Sequence, residues 1–259
     1  MKKMKVAMKL MLLTLVLCYM GNMGEVEASP ETTCDGVDYE AVFDADYYAA
    51  VNADVAAVFG NNEALLFQHF VSNGMQEGRI ASAEFNVAEY IAYNPELVEL
   101  LGTESVAPYY VHYVLIGREE GRVGSLLELQ ARQEEEQRVY EIIMGLKPSY
   151  PEGMYWTNEI VYQFNGAYYI GYGCAAFTFL VSDAAFGNVP VYEHYDYTKI
   201  RVGDILRINN DTHSVIVLEV HDDYIVIAEG NYNKSIHWGR RLTNADLEKN
   251  LDYVWSRYY

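Results

Sequence analysis

The chain has 259 residues, a formal net charge of −19, a 51% hydrophobic share and three cysteines. Such an acidic surface repels nucleic acid and anionic lipid, so neither is expected as a partner, and the length allows a catalytic domain plus a smaller one. The charge reads first as solubility in an extracellular medium and second as a preference for neutral or cationic substrates.

Lys2, Lys3, Lys5 and Lys9 precede an apolar run from Leu10 to Met20, and Val26-Glu27-Ala28 offers a cleavage site before Ser29. Residues 1–28 read as a secretory signal peptide. The run is about half of the ~20 residues that a spanning helix needs, so no membrane partner is expected after cleavage. Leu17 and Tyr19 around Cys18 do not make a lipid-attachment site. The expected location is secreted, extracellular or cell-wall associated. Cleavage leaves 231 residues with 14 basic and 35 acidic side chains, a net charge of −21.

Residues 29–42 read as an N-terminal tail. A repeat follows over 43–124. Phe43, Tyr48, Asn52 and Asp54 recur as Phe85, Tyr90, Asn94 and Glu96 at an offset of 42, and His69, Gly74, Glu77, Gly78 and Arg79 recur as His112, Gly117, Glu120, Gly121 and Arg122 at an offset of 43. This pattern marks two copies, 43–79 and 85–122. Apolar residues at helical spacing predict a helical hairpin in each, with Gly74 and Gly117 as helix stops and a break with an N-cap for the next helix at Asn52-Ala53-Asp54 and Asn94-Pro95-Glu96. The tyrosines and histidines are expected to pack the copies together, or else to line a groove that binds a surface partner.

Residues 125–147 predict one linker helix, exposed through the Gln133–Gln137 charge run and apolar from Val139 on, stopped before Pro148 and Pro151. A second domain is expected over 148–259. Trp156, Tyr168 and Tyr172 lie just upstream of Cys174 and are candidates for a substrate wall.

Cys174 opens an apolar run that predicts a buried helix, placing the thiol in its first turn. Asp183 to Asp196 reads as a loop bordering the cleft. His213 to Val220 and Tyr224 to Asn231 read as strands joined by an Asp222-Asp223 turn, and Lys199 to Ile208, Tyr253 to Tyr258 and Ser235 to Arg241 complete an antiparallel sheet. A cysteine opening a helix, a histidine opening one strand and a polar residue on the next are the nucleophile, base and orienter of a papain-type site. A free thiol has a pKa of roughly 8.5; a helix dipole and an adjacent imidazolium both lower it. Alternation puts Glu229 and Asn231 on one face, and either could orient His213.

The Gly-Cys-Ala helix start, the Val202-Gly203-Asp204-Ile205-Leu206 run and the His-x-Val-x-Val…Glu-x-Asn pair resemble bacterial CHAP amidohydrolase/peptidase domains and their NlpC-like relatives. The resemblance covers roughly the last 120 residues. It implies a catalytic set of Cys174, His213, Glu229 and Asn231, no cofactor, and peptidoglycan or another peptide as substrate. The Glu-Gly-Arg close of each repeat is similar to repeats of secreted bacterial proteins. Cys34 and Cys174 are expected to stay unbridged, because joining a nucleophile to a tail thiol would silence it. The remaining histidines show no i,i+4 pairing and there is no Cys-x-x-Cys, so no metal is expected.

The expected fold class is α+β, a papain-like catalytic domain with a cysteine helix packed on an antiparallel sheet, preceded by a small all-α domain of two repeats. The expected function is a secreted cysteine amidohydrolase or endopeptidase. A protein-directed peptidase, an acyl transferase, or a non-catalytic surface-binding protein are the alternatives.

Overall fold

The computed structural model describes residues 32–258. The expected signal peptide, and with it Cys18, lies outside the described residues, as do positions 29–31 and 259. The chain divides into two compact units, the first ending at Ala131 and the second running from Arg132.

The first unit begins with a small hairpin, β1 (Thr33–Cys34) and β2 (Val37–Asp38). This corrects the expected tail. Cys34, Val37, Tyr39 and Val42 are all buried in the core of this unit, since apolar side chains so close to the first helix have a face to join.

Each repeat copy then forms three helical segments rather than a hairpin. The first copy has α1 (Ala45–Val51), α2 (Ala53–Phe59) and α3 (Glu63–His69); the second has α4 (Val87–Tyr93), α5 (Leu97–Leu101) and α6 (Ala107–His112). Asp44 and Asn86 cap the first helix of each copy by accepting backbone N–H groups. At the break, Asn52 and Asn94 do not cap forward. Their amides donate back to the carbonyls of Tyr48 and Tyr90 at 2.9 and 2.8 Å. Arg79 and Arg122 close the copies onto Asp54 and Glu96.

Gly74 is not a helix stop: it closes a π-turn, Phe70–Gly74, and the helix resumes over Met75–Glu77 until Gly78 takes a positive φ of 70°. Gly117 closes the matching π-turn, Tyr113–Gly117, and there the helix does end, a turn leading to Gly121 with φ of 71°. The glycines are needed because a Cβ at either site would collide with a tyrosine hydroxyl, Tyr48 or Tyr90. Those hydroxyls pair with His69 Nδ1 at 2.9 Å and His112 Nδ1 at 2.8 Å within each copy, while Tyr110 of the second copy packs edge-on against Phe70 of the first and donates its hydroxyl to the Arg79 carbonyl at 2.9 Å, joining the two. Gly117→Ala is therefore expected to destabilise the first unit by about 1–3 kcal/mol, the cost of overpacking. Gly145→Ala, where a Cβ meets open space, should be neutral or slightly stabilising. Hydrogen exchange resolved by peptide separates the two outcomes.

Helix α7 (Leu126–Gly145) ends two residues before Lys147-Pro148. Val139 and Ile143 are fully buried in the core of the second unit, which is why that unit starts at Arg132 rather than at 148. A six-stranded antiparallel sheet follows in the order β5-β10-β6-β7-β8-β9, formed by β5 (Tyr192–His194), β6 (Ile205–Ile208), β7 (His213–Val220), β8 (Tyr224–Tyr232), β9 (Ser235–Thr243) and β10 (Leu251–Ser256). A short hairpin, β3 (Val161–Gln163) with β4 (Ile170–Tyr172), leads into α8 (Cys174–Phe186), which packs on β7 and β8. Helix α9 (Asn244–Asn250) joins β9 to β10 behind a Thr243/Asp246 capping box.

Alternation along the central strands produces two buried layers. Ile216, Leu218, Val226 and Ala228 face the α8 core, while Val215, Val217, Ile225 and Ile227 face the other. The unit is thus α+β, with the helix that begins at Cys174 laid on an antiparallel sheet. The expected cleft loop is shorter than its sequence reading: Asp183 is buried in α8, ion-paired with Arg257 at 2.6 Å, and Tyr192–His194 forms strand β5 at the sheet edge.

Candidate functional site

Gly173 sets the start of α8. Its φ of 55° and ψ of −115° belong to a region that side chains disfavour, and a Cβ there would run into the Asn158 and Asn231 amides. The Trp156 indole N–H donates to its carbonyl at 2.8 Å and its own N–H donates to the Ile160 carbonyl at 3.1 Å. No side chain caps α8, so the positive end of its dipole is left to act on Cys174, the first helical residue.

Cys174 is buried and its sulfur is hydrogen-bonded to the His213 ring and to the Ser214 backbone N–H. His213 opens β7, and its Nε2 lies 2.6 Å from Glu229 Oε2 on β8, which leaves Nδ1 for the sulfur. Glu229 is fully buried and also takes a two-pronged ion pair from Arg240 on β9, with Nε donating to Oε1 at 2.5 Å and Nη2 donating to Oε2 at 2.8 Å. A thiol, an imidazole, a carboxylate and a guanidinium are thus linked in succession.

The electrostatics follow from those contacts. Burial works against ionising Cys174, but the hydrogen bonds from His213 and Ser214, with the charges of His213 and Arg207, outweigh it and hold the thiol below its ordinary value. Burial likewise opposes the imidazolium of His213, yet its bonds to Cys174 and Glu229 push it up to about 9. Glu229 stays below the usual carboxylate range because His213 and Arg240 overcome its desolvation. Together these favour a resting thiolate–imidazolium pair backed by a carboxylate. Such a pair can attack a carbonyl carbon, protonate a leaving amine and activate water.

Asn231 does not orient His213. Its φ is 59°, and the pairing of β8 with β9 slips between Glu229 and Tyr232, so alternation fails there. The amide turns instead to Asn158, donating to Oδ1 at 2.8 Å beside Gly173. Trp156 is also misplaced as a substrate wall. It is 4% exposed, edge-on to Phe177, and serves the turn before Cys174. Tyr172 is exposed at the end of β4, next to Gly173, and Tyr168 is 92% exposed in the β3–β4 turn with φ of 54°.

Sequence reasoning missed Arg240, Arg207 and Asn158. Arg240 reaches Glu229 through a strand pairing that carries two bulges, and no spacing in the chain encodes that. Among the described residues no group of three His, Cys, Asp or Glu side chains is placed to hold a metal ion, and no helix is long and apolar enough to cross a membrane. No family model matches this chain, and neither a curated protein nor a solved structure matches it.

Proposed function

We propose that this chain is a secreted cysteine amidohydrolase or peptidase, with a papain-like second unit of the CHAP and NlpC-like type, that cleaves amide bonds of peptidoglycan stem peptides. The observation that carries the reading is the Cys174–His213–Glu229 line at the open end of a helix, with Arg240 keeping the carboxylate ionised. A buried set of alternating charges is costly to assemble unless its protonation states are put to use, and perturbed groups that act on one another are characteristic of reaction sites.

In this mechanism the Cys174 thiolate attacks the amide carbonyl, and the developing oxyanion is met by the uncapped N–H groups of α8. The imidazolium of His213 protonates the amine as the C–N bond breaks, leaving a thioester on Cys174. Neutral His213 then takes a proton from water, whose oxygen attacks the thioester; the acid leaves and the thiolate returns. Glu229 holds the ring in one orientation throughout. The first unit, with its two internally latched repeats, serves as a targeting or spacing module on the cell surface.

The test is to incubate the chain lacking residues 1–28 with purified cell-wall sacculi and to identify released fragments by mass. New amino termini within the stem, absent with Cys174→Ala, are expected. Sacculi of every cross-link type left intact would set the peptidoglycan substrate aside.

A further inference from the structure

Between β6 and β7, Asn209, Asn210 and Asp211 are three successive residues in the left-handed region, with φ of 62°, 59° and 58°. Asn and Asp tolerate that region better than other side chains, but a run of three persists only where neighbours hold it. Arg207 holds it. Its Nε donates to Asp211 Oδ1 at 2.6 Å, its Nη2 donates to the Asp211 carbonyl, and its Nη1 donates to Ser214 Oγ at 2.5 Å. From β10, the Tyr253 hydroxyl donates to Asp211 Oδ1 at 3.1 Å and Asp252 Oδ2 accepts the Asp211 N–H at 2.7 Å.

These contacts close on both sides of His213. Asp211 stands two residues before it and Ser214 one residue after, and the Ser214 N–H reaches the Cys174 sulfur. Arg207 itself is 16% exposed, and the groups that bear on the sulfur are His213 from β7 and Arg207 from β6, with Glu229 and Arg240 standing behind the imidazole. The charged group facing the guanidinium is Asp211, itself 60% exposed.

We propose that Arg207 is a positioning residue of the thiolate site: it locks the strained loop that presents His213 and places a permanent positive charge near Cys174. The proposal rests on the hydrolase reading. Its physical content is that guanidinium keeps its charge where imidazole loses it, so part of the field at the sulfur persists as His213 deprotonates. Arg207 also holds the hydroxyl of Ser214, the residue whose backbone N–H bears on the thiolate.

The test is the pH profile of Cys174 alkylation by iodoacetamide in the full chain, resolved from Cys34 by peptide mass. Arg207→Met should move the midpoint up by about one pH unit, and Arg207→Lys should fall between it and the parent. Asp211→Asn should move it down, because the neutralising carboxylate is gone while an amide oxygen can still accept from Arg207. Opposite shifts are not what a loosened loop would produce. If Arg207→Met does not fold, the exposed Asp211 site decides the matter alone. Absent or same-direction shifts, in a chain where His213→Ala still moves the profile, would overturn the role of Arg207 and leave the hydrolase standing. A parent thiol that alkylates only in the ordinary cysteine range would remove both.

Discussion

With His213 replaced by alanine, turnover is expected to fall by about three orders of magnitude or more, and Cys174 to alkylate only at a pH above that of the parent chain. Two of the contacts that favour the thiolate, a hydrogen bond and a positive charge, come from this one ring. In the proposed mechanism the same ring delivers a proton to the leaving group and later takes one from water, so both halves of that reaction would lose their proton carrier. Cys34 supplies an internal reference. Burial raises its thiol and the neighbouring charge of Asp35 raises it further, so it should react slowly at neutral pH in parent and variant alike. Cys174 and Cys34 alkylating with the same profile, unmoved by the substitution, would mean an unactivated thiol and would favour a surface-binding protein over an enzyme.

What was legible in the sequence is what depends on neighbours in the chain. Helical and strand periodicity placed Cys174 at the start of a helix and His213 at the start of a strand, and the copies of Phe43-to-Arg79 announced themselves by their offset. Features that depend on contacts across the fold were misread or missed. Asn231 looks equivalent to Glu229 under strict alternation, and one left-handed residue at a bulge sends the two amide and carboxylate groups to different neighbours. Gly74 looks like a helix end, and only the Tyr48 hydroxyl arriving from another helix explains why glycine stands inside a continuing one. Trp156 looks like a cleft aromatic because it precedes Cys174, whereas it is buried edge-on against Phe177 of α8. Arg240 had no local signal at all, since its partner sits on a neighbouring strand whose register slips twice.

Glu229→Gln is the substitution that best separates orientation from charge in this site. Glutamine nearly matches the shape of the carboxylate and can still accept a hydrogen bond from His213, but it brings no negative charge. Arg240 loses an ion pair and, at 33% exposure, can turn to water, so the loss of stability should stay at about 1–3 kcal/mol. Turnover should fall much further, by about 10²–10⁴-fold, as expected when an imidazole loses its charged orienter. The pH dependence carries the sign. Under the proposed mechanism the parent chain is expected to lose activity on the acid side as the thiolate gains a proton, and on the alkaline side as the imidazolium gives up its proton at about 9. Without the Glu229 charge the imidazolium is less favoured, so the alkaline limb moves down. A less protonated ring also supports the thiolate less, so the acid limb moves up, and the bell narrows from both sides. Asn231→Ala should leave both limbs in place, because that amide contacts Asn158 and not the imidazole. Profiles of kcat/KM on fragments released from sacculi would measure this. A full-width bell in Glu229→Gln together with a narrowed one in Asn231→Ala would reverse the two roles and return the orienting group to the amide.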